Sequence, residues 1–212
     1  GLFLFSLALY LASMNWAPFP GLPTRVLLTH LELDTEPGIL DALWGRLVRL
    51  FSYLPGLSVA GWTSLFSAFC GAASTGLAGR LMVRVGYLIR NEPGPNSFVR
   101  EAQARRISGL VAGLYLACCI PFWVVSTRSL PGSFHVLLLL VAAWWFSEYQ
   151  HWGKRRHLGL LGLVFGIGLS EHATFLVFLP LAVFLITREM FRWRALFSWR
   201  SQLVIWGGLL LG

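Results

Sequence analysis

Apolar runs without a single charge, such as Leu57 to Gly79 and Ile107 to Thr127, alternate along this chain with short clusters of Arg and Lys. The clusters recur after every second run. That is the pattern of a polypeptide stitched back and forth through a bilayer with its basic loops held on the cytoplasmic side. The pattern therefore predicts an all-α, polytopic transmembrane protein of about seven spans.

Taken in order, Leu2 to Ala12 reads as the end of a first span, and residues 57–212 as transmembrane helices with short loops. Between them, residues 16–56 read as an extracytoplasmic first loop. It contains Pro18, Pro20, Pro23, Pro37 and Pro55, with Glu32, Asp34, Glu36 and Asp41 among them. Within that loop, Leu43, Trp44, Leu47, Leu50, Phe51 and Leu54 fall at helical spacing, with Asp41, Arg46 and Arg49 elsewhere on the helix. This predicts an amphipathic helix over residues 40–54, suited to the membrane interface. Pro121 predicts a kink in the span beginning at Ile107. Ser133 to Ser147 reads as a further span, ending near an interfacial belt of Trp144, Trp145 and Tyr149.

The stretch Leu158 to Thr187 has Glu171 and His172 at its middle. As one helix it would bury an acid and a histidine at the bilayer centre and put Lys154–Arg156 and Arg188–Arg194 on opposite sides. Two short helices meeting at Glu171–His172 return both basic clusters to the same side, so a hairpin is expected. Leu203 to Gly212 then starts another span outward. On this reading all but Arg25, Arg46, Arg49 and Arg128 of the seventeen basic residues face the cytoplasm.

Composition agrees with a bilayer protein: 56% hydrophobic and 12% charged residues, with ten tryptophans in 212 positions. A soluble domain carries about 25% charged residues. The net charge of +8 does not point to nucleic acid, because the cations sit at the ends of apolar runs and form no continuous patch. Cys70, Cys118 and Cys119 all lie inside apolar runs, and no Cys/His spacing suggests zinc or haem, so no metal and no cofactor is assigned. The chain begins without Met and stops inside an apolar run, and it is expected to be part of a longer polypeptide forming one transmembrane domain over residues 1–212.

Several strings, in order, resemble the C-type glycosyltransferases, in particular bacterial membrane proteins related to protein O-mannosyltransferases. Glu36-Pro37-Gly38, then Gly45-Arg46-Leu47 and Leu50-Phe51-Ser52-Tyr53-Leu54-Pro55, resemble that family's proline-proline-glycine, glycine-arginine-leucine and phenylalanine-serine-leucine-leucine-proline run. Phe122-Trp123 matches a pair closing its third span. Gly166-Ile167-Gly168-Leu169-Ser170, His172 and Leu179-Pro180 resemble a later string. Three features depart: where the family carries a first-loop acid, this chain reads Phe19-Pro20-Gly21-Leu22-Pro23; its glutamate-valine-tyrosine string after the Phe-Trp is missing around Leu130 to Phe134; and Thr35 replaces the histidine before its double proline.

The resemblance implies transfer of a sugar from a polyprenyl-phosphate donor to a protein or glycan outside the cytoplasm, in the bacterial inner membrane. The alternative is a catalytically inactive relative kept as a structural or partner-binding subunit of a membrane complex. Such transfer needs a carboxylate to deprotonate the acceptor and a cation beside the phosphate. Asp34 and Glu36, nearest the Pro-Gly turn, are the candidate catalytic acids. Arg128, Glu171, His172 and Arg46 are the candidate substrate-binding residues. Membrane lipid, the lipid-linked donor and other membrane subunits are the implied partners.

Overall fold

The structure is a computed structural model, and it describes residues 1–16, 27–28, 31, 42–84, 97–195 and 198–212. The chain is all-α. Nine helices occur among the described residues: α1 (Leu2–Ser13), α2 (Ala42–Ser52), α3 (Val59–Arg84), α4 (Ser97–Cys118), α5 (Ile120–Thr127), α6 (Gly132–Trp152), α7 (Arg155–Glu171), α8 (Ala173–Arg192) and α9 (Trp199–Leu211).

The expectation of about seven spans is not met. Among the described residues, one helix by length and composition, α8, is long and apolar enough to cross a membrane, or two if the bent pair α4–α5 counts as one span. The reason lies in what the uncharged runs are made of. A crossing helix needs about 20 predominantly apolar residues, whereas α1, α7 and α9 have 12, 17 and 13. Helix α3 has the length, with 26 residues, but Gly61, Thr63, Ser64, Ser67, Gly71, Ser74, Thr75 and Gly79 make it small and polar. Those positions are buried inside the protein. Counting runs by the absence of charge treats such a packing helix as if it faced lipid.

The polar positions of α3 are satisfied locally or hold neighbours. Thr63 donates to the Val59 carbonyl and Ser74 to that of Cys70. Thr75 Oγ1 donates to Ser6 Oγ at 2.8 Å, joining α3 to α1. Tyr10 donates to the Ala117 carbonyl and Trp123 Nε1 to Ser13 Oγ, so α1 is also tied to the α4–α5 segment. Hydroxyls and small residues at helix contacts are the usual means of association where apolar surroundings provide little drive.

Glycines bring backbones together at the α7–α9 contact. A Cβ at Gly162 would lie 2.5 Å from the Ile205 carbonyl oxygen, and one at Gly208 would meet that of Gly159. The α4–α5 segment bends by 64° at Cys119, with Pro121 in the first turn of α5, where its missing N–H costs nothing. The expected hairpin appears as α7 and α8, broken at His172, with Leu158 near the start of α7 packed in one cluster with Met190 near the end of α8. The two helices stand apart along much of their length. Phe165 and Ile186 line apolar crevices of about 270 and 180 Å³ that lie along them.

The two ends of the bundle differ in charge. One end gathers Arg80 and Arg84, Arg105 and Arg106, Lys154 to Arg156, Arg188, Arg192 and Arg200. There Arg84 pairs with Glu148 at 2.5 Å and lies over Trp144, tying α3 to α6. The other end carries the N-termini of α2, α3, α6 and α8.

The glycine contacts predict an asymmetric response to one added side chain. Gly162→Val must push the Ile205 backbone away and should cost about 1–3 kcal/mol, read as a fall of several degrees in the thermal midpoint in detergent. Gly207→Val, on the same α9 contact helix but with nothing within 4 Å of its Cβ position, should leave the midpoint unchanged.

Candidate functional site at the hairpin tip

Where α7 ends and α8 begins, the chain places two ionisable residues side by side, and each closes a helix terminus. The Glu171 side chain is fully buried. One of its oxygens accepts from the Leu43 N–H and the other from the Trp44 N–H, at 3.1 Å for Trp44. These are first-turn amides of α2, which have no carbonyl partner within their own helix. A carboxylate there also meets the positive end of the helix dipole. Glu171 thus anchors a helix 127 residues away in sequence.

His172 lies between the helices with extended backbone, φ −150° and ψ 136°. Its Nδ1 accepts from the Thr174 N–H at 3.2 Å and lies 2.6 Å from Thr174 Oγ1, so the imidazole serves as the N-cap of α8. Cap positions favour side chains able to accept in this way. With Nδ1 accepting, the proton of the neutral ring is assigned to Nε2. The ring packs on His135 of α6, centroids 4.5 Å apart and planes tilted by 38°. Phe175, fully buried, seats α8 edge-on against Phe165 of α7.

Helix α2 covers residues 42–52 of the stretch expected to be amphipathic. Its apolar side lies on protein: Trp44 and Val48 are fully buried in the core, and Trp44 packs against Phe66 and Phe134. Arg46 and Arg49 are exposed, with Leu50 and Tyr53 exposed beside them. The helix therefore presents cations and a few apolar side chains outward while its aromatic anchor holds it to the bundle.

Of the residues expected at the site, Glu171 and His172 are together at the tip, and Arg46 lies less than one turn beyond Leu43 on the helix that Glu171 holds. Arg128 is partly exposed in the link between α5 and α6, where the Leu130 N–H returns to its carbonyl. That link precedes α6, which carries His135. Asp34 and Glu36 lie outside the described residues. Sequence reading missed His135, which had no motif around it, and Trp44, whose role depends on the Glu171 contact beside it. Among the described residues no cluster of three His, Cys, Asp or Glu is placed to hold a metal ion.

The chemistry open to this arrangement is that of two neighbouring imidazoles beside a buried carboxylate. An imidazole can donate to an oxyanion or pass a proton near neutral pH. Both Glu171 oxygens are occupied by backbone donors, so that acid positions α2 while the cap is in place.

The profile of the protein O-mannosyl-transferase TMEM260 N-terminal domain matches residues 30–194. The chain belongs to this family. No curated protein and no solved structure matches it. The matched residues include α2, the hairpin tip and His135, so the site described above falls within the family's domain. Helix α8 is apolar, and only 17% of its most apolar stretch is buried, unlike a helix from a soluble core. With the family assignment, this makes the chain a membrane protein.

Loss of the Glu171 cap should loosen α2 first. Glu171→Ala strands one buried and one part-buried amide and should cost about 1–3 kcal/mol. Glu171→Gln keeps one acceptor and should cost less. Thermal unfolding in detergent orders the three proteins, and equal midpoints would show that the carboxylate does not hold α2.

Proposed function

We propose that this protein is a membrane mannosyltransferase-type enzyme that moves a sugar from a polyprenyl-phosphate donor to a protein or glycan acceptor. The observation that carries this reading is the family match, which spans the first-loop helix and the hairpin tip together. The reaction needs a base for the acceptor hydroxyl and cations or donors for the departing phosphate. Asp34 or Glu36 supplies the base. In sequence these acids lie between Leu31 and Leu43, both packed against the same core cluster as Trp44. Arg128, Arg46 and the His135–His172 pair supply the phosphate and sugar contacts, and Glu171 positions them by fixing α2.

The chain crosses the bilayer more than once, with its basic end in the cytoplasm and the hairpin tip outside. Support comes from the segregation of cations at one end, the orientation that biases insertion. It also comes from exposed apolar side chains on several helices, among them Leu4, Leu110, Val177, Phe184 and Leu210. In this reading the bilayer is the bacterial inner membrane, an assignment that rests on the resemblance in sequence alone. A second reading, an inactive relative serving as a subunit of a membrane complex, is favoured by the absence of an acid in the Phe19 to Pro23 stretch.

Purified protein supplied with polyprenyl-phosphate mannose and an acceptor should transfer the sugar. Asp34→Asn or Glu36→Gln should lower the rate by about 100-fold or more. Full activity in both variants would remove these acids from the mechanism. Failure to turn over, together with stable co-purification of other subunits, would favour the inactive reading.

Orientation has its own test. In a background with Cys70, Cys118 and Cys119 replaced, an impermeant thiol reagent applied to intact cells should label Arg46→Cys and spare Gln103→Cys. The opposite labelling would invert the proposed sidedness.

A further inference from the structure

At the basic end, α1, α3 and α4 do not close on one another. They enclose a groove of about 680 Å³ whose lining includes Phe3, Leu77, Val83 and Leu110 together with Arg80 and Arg106. Its size falls within the range of about 300–1,000 Å³ typical of small-molecule sites. The groove owes its shape to glycines at the back. Gly79 and Gly109 let α3 and α4 approach so closely that a Cβ on either would fall within 3 Å of the other's carbonyl oxygen.

The two cations at this groove differ from Arg84 beside them. Arg84, one turn further along α3, is neutralised by Glu148 and stacked on Trp144. Arg80 and Arg106 are exposed, and among the described residues neither has an ion-pair partner. Two guanidinium groups on different helices thus border an apolar cavity, and among the described residues no acid is paired with either. From the groove, an exposed apolar strip continues up α4 through Leu110, Val111 and Tyr115, at 51%, 57% and 76% exposure. A peptide or a nucleic acid would need polar partners along that strip, and of its three residues only Tyr115 carries a polar atom, its hydroxyl. A molecule with an anionic head and a hydrocarbon tail matches both parts.

We propose that this groove is a binding site for an anionic phospholipid. Arg80 and Arg106 hold the phosphate, and an acyl chain runs between Phe3, Leu77 and Leu110 and along the outer face of α4. Guanidinium groups match a phosphate oxygen pair in geometry as well as charge, and basic pockets between helices on the cytoplasmic side are suited to anionic headgroups. The site lies at the opposite end of the bundle from the hairpin tip, so it is separate from the sugar-transfer chemistry.

The test is native mass spectrometry of the purified protein titrated with phosphatidylglycerol or phosphatidylcholine. The wild-type protein should retain phosphatidylglycerol at least tenfold better than phosphatidylcholine. The Arg80→Ala/Arg106→Ala double variant should lose that preference, while Arg200→Ala, a cation at the same end but outside the groove, should keep it. If the double alanine variant does not fold, Arg80→Glu alone serves in its place, and raising salt should weaken phosphatidylglycerol retention by the wild type. Equal retention of both lipids, or a preference unchanged in the variants, would overturn the proposal. Stronger retention of undecaprenyl phosphate than of phosphatidylglycerol at the same arginines would also overturn it, by assigning the groove to the donor. None of these outcomes depends on transferase activity.

Discussion

A carboxylate without water and a helix N-terminus without partners are each costly, and in this protein they satisfy each other. Glu171 is fully buried, and its two oxygens meet the first-turn amides of α2. Burying an ionised carboxylate or orphan amides alone costs several kcal/mol. Joined, the groups offset that cost and fix the first-loop helix to the point where α7 turns into α8. Trp44 enters the core beside this contact and packs with Phe66 and Phe134, while His172, the next residue, caps α8 and stacks on His135. Two adjacent ionisable residues thus set the positions of three helices.

Around that tip the bundle is assembled by close approach more than by bulk. Gly162 and Gly208 let α7 and α9 touch backbone to backbone, and hydroxyls on α1 and α3 bond across their contact. Helix α8 is the exception. It is held mainly at its ends, by Phe175 at the start and Met190 near the finish, and apolar crevices lie along it. Among the described residues, the one helix long and apolar enough to cross a membrane by itself is thus little covered by protein, as expected of one that meets lipid. The cations collect at the opposite end from the tip, so the molecule has a polarity along its length that matches both the proposed orientation and the proposed lipid site.

Much of this was legible in the sequence because it is written in local chemistry. Helical spacing from Leu43 to Phe51 marked α2, Pro121 marked the α5 boundary, and Glu171–His172 interrupting an apolar run marked the hairpin. The number of crossings was misread because α3 lacks charge without being apolar: its Ser, Thr and Gly residues face other helices. The site was only half visible. Glu171 and His172 stood out as ionisable residues, but their roles as caps depend on α2 and on Thr174, and the meeting of Glu171 with Leu43 spans 128 residues. His135 gave no local signal, since it acquires meaning only when α6 is packed against the tip.

Amide hydrogen exchange at the start of α2 tests the central contact most directly. First-turn amides normally exchange fast because they lack intrahelical partners. In the native protein the Leu43 and Trp44 amides should instead be protected well beyond the equivalent first-turn amides of α9, whose N-cap Ser198 makes no side-chain cap. In Glu171→Ala that protection should vanish while the middle of α3 stays protected. Fast exchange at Leu43 and Trp44 in the native protein, or unchanged protection in the variant, would contradict the account.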